Sequence, residues 1–359
     1  MKPRPIIQRG YTLVELLVAM AIGIILIGAV IVVYVAQTQT YKVINSQAGT
    51  QNAENAIAAL LTPVIRAAGF VGCSTILQPV TSILNAGGPP PVGTLATPSM
   101  IFGYDATGTA GTGTLTISQL NAANDSNAAH WNPALDASLL SSVETGSDVL
   151  VMFGATPGSQ PVTVTSIPAG GTALTVQDAT GLAAGQLAAV SDCGKTTLFQ
   201  ITSVAGTTVN HAAGAGALAN TVATFPVNYN TPLLMPVQQT AIYVAQGQGG
   251  QSVLMLATYN PGAWTASPLV PGVETMQVLY GVGAPGTGAV SQYVAGNSPL
   301  ITTMTVYSVR LAFLIEGLPG SASATNPTQF AMLGTTVNVP QDTRLRRVYE
   351  MTVNLRNAS

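Results

Sequence analysis

The sequence predicts an α+β protein in which one long N-terminal helix packs on a β-rich head. Three observations carry this expectation: an apolar run from Leu13 to Ala36, the absence of proline between Tyr11 and Thr62, and a change beyond Phe70 to short β-type runs separated by Gly, Pro, Asn and Thr. The chain has 359 residues, 47% of them hydrophobic, enough to bury a sizeable core. Only 7% are charged, against about 25% in an ordinary globular protein. Hydroxyls, amides and backbone must therefore solvate most of the surface, which suits an exported β-rich protein. A net charge of −2 with no basic stripe does not supply the electrostatics of nucleic-acid binding.

The helix comes first. A short leader with Lys2, Arg4 and Arg9 abuts the apolar run, in which Glu15 is the only ionisable side chain. At about 1.5 Å per residue the run spans roughly 36 Å, more than a hydrocarbon core of about 30 Å. A cleaved signal sequence has an apolar region of about 7 to 15 residues and a small-x-small site, whereas here Tyr34 stands at the far end. The cations precede the span, so the leader is expected in the cytoplasm and the chain beyond Ala36 outside. Glu15 needs a reason, because a carboxylate near the centre of a spanning helix costs about 2.5 to 3.5 kcal/mol. Either a cation meets it or it snorkels to the headgroups. After Gln37, Val43, Ile44, Ile57, Leu60, Leu61, Val64 and Ile65 predict an amphipathic continuation over 37–68, with Pro63 kinking or ending it and Gly69 a stop. Gly23 and Gly28, inside the span, allow close helix approach or weaken the helix locally.

The head, 69–359, reads as strands at DVLVMFG, PVTVTSI, LFQITSV, AIYVA, SVLMLAT and TVYSVRLAFLI. In the C-terminal run YEMTVNLR, Tyr349, Met351, Val353 and Leu355 share one face, and Glu350, Thr352, Asn354 and Arg356 share the other. NAGGPPPVG, TGTAGTGT, GQGQGG and GAPGTGA read as surface loops, and about 162–222 as a small β subdomain. Two cysteines, Cys73 and Cys193, form no metal-binding spacing and read as one disulfide or as two separate buried thiols. His130 and His211 read as solvated loop or turn residues. Without HExxH, GxSxG or a P-loop, neither catalysis nor a cofactor or metal is expected. Tyr104, Trp131, Tyr229, Tyr259 and Trp264 fall in or near loops, where they pack or line a ligand surface. Arg344, Arg346 and Arg347 read as a solvated strand entrance.

The basic leader, Gly10, Tyr11, Thr12, Leu13 and Glu15 together resemble the prepilin cleavage motif of type IV pilins and type II secretion pseudopilins. RAAGFVGC, GSDVLVM, AVSDC, PGVETMQVLYGV, SVRLAFLIEG and RLRRVYEMTVNLRN sharpen the resemblance toward PilW-like minor pilins over nearly the whole chain. It implies a pilin-like fold. A prepilin peptidase would cut between Gly10 and Tyr11 and methylate the new amine, and Glu15 would meet such an amine on a neighbouring helix during assembly. It makes Cys73 and Cys193 the natural disulfide pair. Cleavage would remove three cations and leave eight basic against 13 acidic side chains, a balance of −5. The implied role is structural: a subunit of the inner membrane, then of the pilus, that joins other minor pilins in a priming or tip complex from which the major pilin polymerises. A type II secretion pseudopilin is the nearest alternative, and a tip adhesin an alternative of another class.

Overall fold

The computed structural model describes residues 11–72, 80–85, 101–117, 123–216, 218–247, 250–260, 263–322 and 327–356. Helix α1 runs unbroken from Leu13 to Arg66, 54 residues. Its large apolar side chains from Leu13 to Val35 are all exposed. A helix apolar on every face is stable only in lipid or against other helices, so this half projects from the head as the anchor. The second half buries Ser46, Thr50, Ile57, Leu61 and Ile65 along one stripe. Ile44 and Leu60 lie outside that stripe and are exposed, contrary to the sequence reading. The reason is close approach: a Cβ on Gly317 would lie 1.8 Å from the Ser46 hydroxyl, so only small side chains fit where the helix meets the head. Pro63 sits within the last turns and the helix continues to Arg66, where Ala67 caps it by donating to the Pro63 carbonyl. Gly69, at φ +75°, turns the chain and donates to Phe153 O at 2.9 Å, its entry into the head.

The head is built on the 14-residue strand Leu233–Gln246. Its first half pairs with Leu187–Ser191 and Val162–Ser166, its second with Val149–Ala155 and Ser252–Asn260. Ile101–Ala106 joins Val149–Ala155, and Ala263–Pro271 forms an outer edge beside Ser252–Asn260. A second, antiparallel sheet orders its strands as Gln292–Ala295, Val273–Gly283, Thr305–Glu316 and Arg346–Asn354. The main core lies between α1 and the two sheets, where Ile57, Leu61 and Ile65 join Met152, Ile242, Leu254, Met276, Val309, Phe313 and Val353. The terminal strand alternates as its sequence predicts. Val353 and the following Leu355 are buried, Tyr349 and Met351 half-buried, and Glu350, Thr352 and Asn354 exposed.

Val162–Ser166, Ala173–Val176, Thr208–Asn210 and Ser203–Ala205 pair in succession over their own cluster of Val164, Leu174, Val176, Ile201 and Val209. The run LFQITSV is divided between this unit and Thr196–Gln200, because Gln200 and Ser203 belong to strands with different partners.

Candidate functional site

Three polar constellations stand out: one at the start of the helix, one between the sheets, and one where the head meets the middle of the helix. At the start of α1, Thr12 is extended (φ −77°, ψ 151°) and its hydroxyl accepts from Glu15 N at 3.3 Å. In return the Glu15 carboxylate accepts from Thr12 N and from the Thr12 hydroxyl, each at 3.3 Å. This is a capping box, in which two amides that open the helix are satisfied reciprocally and a negative charge meets the positive end of the helix dipole. Glu15 thus has partners in its own chain, which sequence reasoning missed while seeking a cation elsewhere. The spacing S/T-x-x-E ahead of an apolar run was the signal. Tyr11 projects at the very end, 87% exposed, and Gly10 lies outside the described residues.

Between the sheets, Gly146–Ser147–Asp148 docks on the strand Val273–Gly283. Asp148 N donates to Met276 O at 2.9 Å, Met276 N to the Ser147 hydroxyl at 3.2 Å, and the Thr275 hydroxyl to Gly146 O at 3.1 Å. The Asp148 carboxylate then bridges the sheets, accepting from Ala106 N on one and Val278 N on the other, both at 2.8 Å. Asp105 and the Tyr280 phenol share this interior, and the Tyr280 hydroxyl is buried without a hydrogen-bond partner. Burial, reinforced by the charge of Asp105, pushes the Asp148 carboxyl well above the usual carboxylate range. Burial pushes Asp105 up to about 6, against the Ala110 N–H that favours its charged form. Burial, with the charge of Asp148 and then of Asp105, also holds the Tyr280 phenol well above its ordinary value.

A pH dependence follows. A carboxyl with a raised folded value costs nothing below its unfolded value, and the cost grows as pH rises through the folded one. Between pH 4 and pH 7 Asp105 should therefore withdraw on the order of 2 to 3 kcal/mol of stability. Asp105→Asn should be more stable than the parent at pH 8, with the two unfolding midpoints converging near pH 4. Midpoints that stay parallel across that range would show that Asp105 ionises without penalty.

Where the head meets the middle of α1, beside Ser46 and Glu54, the three arginines each have an acidic partner, which corrects the reading of a solvated strand entrance. Arg346 is buried. Its guanidinium donates to both Glu274 oxygens, at 2.6 and 2.8 Å, and to both Asp342 oxygens, at 2.7 and 2.8 Å. Arg344 pairs with Glu316 at 2.7 Å. Arg347 turns to the opposite face of the strand and reaches Glu54 of α1 at 3.0 Å, joining helix to head. Burial, with the charge of Glu274, nonetheless pushes Glu316 up to about 7, because desolvation outweighs the neighbouring arginines. Gly272, at φ +79°, makes the turn that brings Glu274 to this site, and its carbonyl accepts from Glu316 N at 2.8 Å. Sequence reasoning could not find the network, since Glu54, Glu274 and Glu316 come from three distant segments and only Asp342 lies nearby in the chain.

Two family matches bracket this geometry. Residues 7–31 match the prokaryotic N-terminal methylation motif, and residues 241–357 match type IV pilus-assembly protein W. The chain is a PilW-like type IV pilin. A type IV-like pilin of Thermus thermophilus is a structural neighbour at 18% identity and a TM-score of 0.21, over 34% of this chain and 68% of that one. No curated protein matches the chain.

As a minor pilin it takes part in pilus assembly, anchored in the inner membrane by α1 and processed through its methylation motif. The methylation match contains the Thr12–Glu15 box, and the PilW match contains Glu274 and all three arginines. The head of this pilin places its other candidate residues in packing roles. Tyr104, Trp131 and Tyr259 are core side chains, with the Trp131 indole donating to Ser147 O at 2.8 Å. Trp264 leans on Tyr259 at 5.2 Å, and the Tyr229 hydroxyl donates to the Thr197 hydroxyl. His211, read from sequence as solvated, is fully buried. It stacks on Phe225 at 4.3 Å, and burial holds its imidazole below the usual value. His130 is exposed as expected and binds Asp125 through Nδ1 at 2.5 Å, while Nε2 faces the Asn127 amide and not a nucleophile. Among the described residues no three His, Cys, Asp or Glu side chains gather as a metal site. Cys73 lies outside the described residues. Cys193 is described, at φ +66°, and no described cysteine is free.

Proposed function

We propose that this pilin is cut between Gly10 and Tyr11 and then serves as a non-catalytic subunit of a priming or tip complex, with other minor pilins and the major pilin as its partners. The observation that carries this reading is the exposed apolar half of α1 ending in the Thr12–Glu15 box. Such a helix is stored in lipid and leaves it only for a bundle of like helices. In the membrane the capping box lowers the cost of the Glu15 charge, and in the filament the methylated amine of a neighbouring Tyr11 completes its pairing. Glu15→Ala should therefore insert and be processed, yet enter filaments poorly. The ratio of chain in sheared filaments to chain in membranes should fall about tenfold, on the view that a buried charge pair is worth at least about 1.4 kcal/mol. An unchanged ratio would leave Glu15 a headgroup-facing residue with no assembly role.

In this reading residues 11–36 are the spanning part of the helix, 37–68 its amphipathic continuation and 69–359 the head, with about 162–222 a subdomain. Cys73 and Cys193 are paired. Supporting the pairing, Gly72 sits against Ser191 so closely that a Cβ on it would be 3.1 Å from the Ser191 Cβ, which brings the two cysteine-bearing segments side by side. A bond there fastens the segment after the helix to the head and closes a loop of about 120 residues, with stabilisation near 5 kcal/mol in the chain-entropy limit. Non-reducing peptide mapping should find one linked pair and no free thiol, and Cys73→Ser should lower the unfolding midpoint by several degrees. Two alkylatable thiols in the native chain would refute the pairing.

A further inference from the structure

The head carries few cations, and nearly all are neutralised at home. Lys195 pairs with Asp192, Arg310 with Glu350, Arg344 with Glu316, Arg346 with Glu274 and Asp342, and Arg347 with Glu54. Besides the exposed Lys42 on α1, Arg66 and Arg356 break the pattern. Among the described residues neither has an acidic partner, and both are exposed. They are held together: Arg356 N donates to Arg66 O at 3.3 Å, and the two side chains line one groove with Pro63, Ala67 and Phe70. Arg66 stands in the last turn of α1, and Arg356 lies two residues beyond the terminal strand, tied back by that hydrogen bond. The helix dipole favours a cation at Arg66, but it does not explain a second arginine lining the same groove. All 13 Asp and Glu residues lie within the described part of the chain. None of them pairs with Arg66 or Arg356.

We propose that the Arg66–Arg356 groove is an interface for a carboxylate-bearing surface of a neighbouring pilin subunit. This rests on the assembly role above. Two guanidiniums lining one groove favour a planar anion, which each can bind bidentately. A lipid phosphate is out of reach, since Arg66 lies about 45 Å along the helix from Ala36, where the apolar run ends. What remains is protein. Subunits anchored in parallel and displaced along a filament axis set the membrane-remote end of one head against the flank of the next. An acidic flank there would gain its attraction only in the assembled register, because each other arginine of the head is already satisfied.

The test uses the full-length chain extracted in detergent, with co-purifying pilins identified by mass spectrometry and quantified per mole of bait. Arg66→Glu combined with Arg356→Glu should reduce the recovered pilins at least tenfold, with unchanged leader processing and unfolding midpoint. The Lys/Lys variant should retain most of the recovery, and raised salt should release the parent's partners. Undiminished recovery with the Glu/Glu variant overturns the proposal. So does a loss accompanied by a lowered midpoint, which would mean that the two arginines serve the fold and not an interface. If the parent itself recovers no pilins, the failure belongs to the proposed partnership and not to this groove.

Discussion

Arg346→Met is expected to destabilise the head by about 3 to 5 kcal/mol, the range for removing one partner of a buried ion pair. The side chains of Arg346 and Glu274 are 3% and 5% exposed, so water cannot take the place of the lost guanidinium. Glu274 would be left buried without its cation, and Asp342 would lose both of its contacts with the guanidinium and keep the Arg344 N–H. Glu316, already pushed up to about 7, would be driven further toward protonation, because the charge of Arg346 is one of the influences that lowers it. For a head of this size the midpoint should drop by roughly 10 °C. Arg347→Ala supplies the contrast. That side chain is 53% exposed and its pair with Glu54 should be worth less than about 1 kcal/mol. Thermal unfolding of the detergent-extracted chain, followed by circular dichroism, measures both. Equal effects at the two positions would mean that the network around Arg346 is no more than a surface feature. Combining Arg346→Met with Glu274→Met should recover part of the loss, since the cost lies mainly in the orphaned charge.

Gly10→Val is expected to abolish processing, leaving a precursor that keeps Lys2, Arg4 and Arg9 and stays in the membrane. The proposed cut severs the bond between Gly10 and Tyr11, ahead of the capping box. There the chain is still extended at Thr12 and accessible to a peptidase, whereas one residue later the helix begins. A β-branched side chain at the scissile position would obstruct the backbone that the peptidase must grip. The retained leader also keeps three positive charges at the head of α1, opposite in effect to the helix dipole. Intact-mass measurement should show the parent beginning at methylated Tyr11 and the variant at its unprocessed start. A parent chain that begins at Met1, or beyond Ala36, would refute the assigned cut. Filament incorporation of the variant should fall below detection, a larger effect than that of Glu15→Ala, because the anchor is never released.

The sequence by itself determined the elements whose cause is local or periodic. An apolar run of helical length, a T-x-x-E start and a break at Gly69 specify α1. Alternation specifies the terminal strand, from Tyr349 to Leu355, because period-two burial is visible wherever one face meets solvent. Tertiary structure decided everything that depends on which segments meet. Ser46 and Thr50 are buried in place of Ile44 because Gly317 lets the helix approach closely, and no helical pattern reveals a glycine 270 residues away. His211 is a core residue because Phe199 and Phe225 close around it. GSDVLVM and PGVETMQVLYGV were legible as separate motifs, yet the Asp148 carboxylate that joins them exists only once Ala106 and Val278 stand on either side. Arg344, Arg346 and Arg347 were legible as charge. Whether a charge is solvated or buried depends on its counterions, and Glu54, Glu274 and Glu316 reach those arginines only through the register of strands and the docking of the helix.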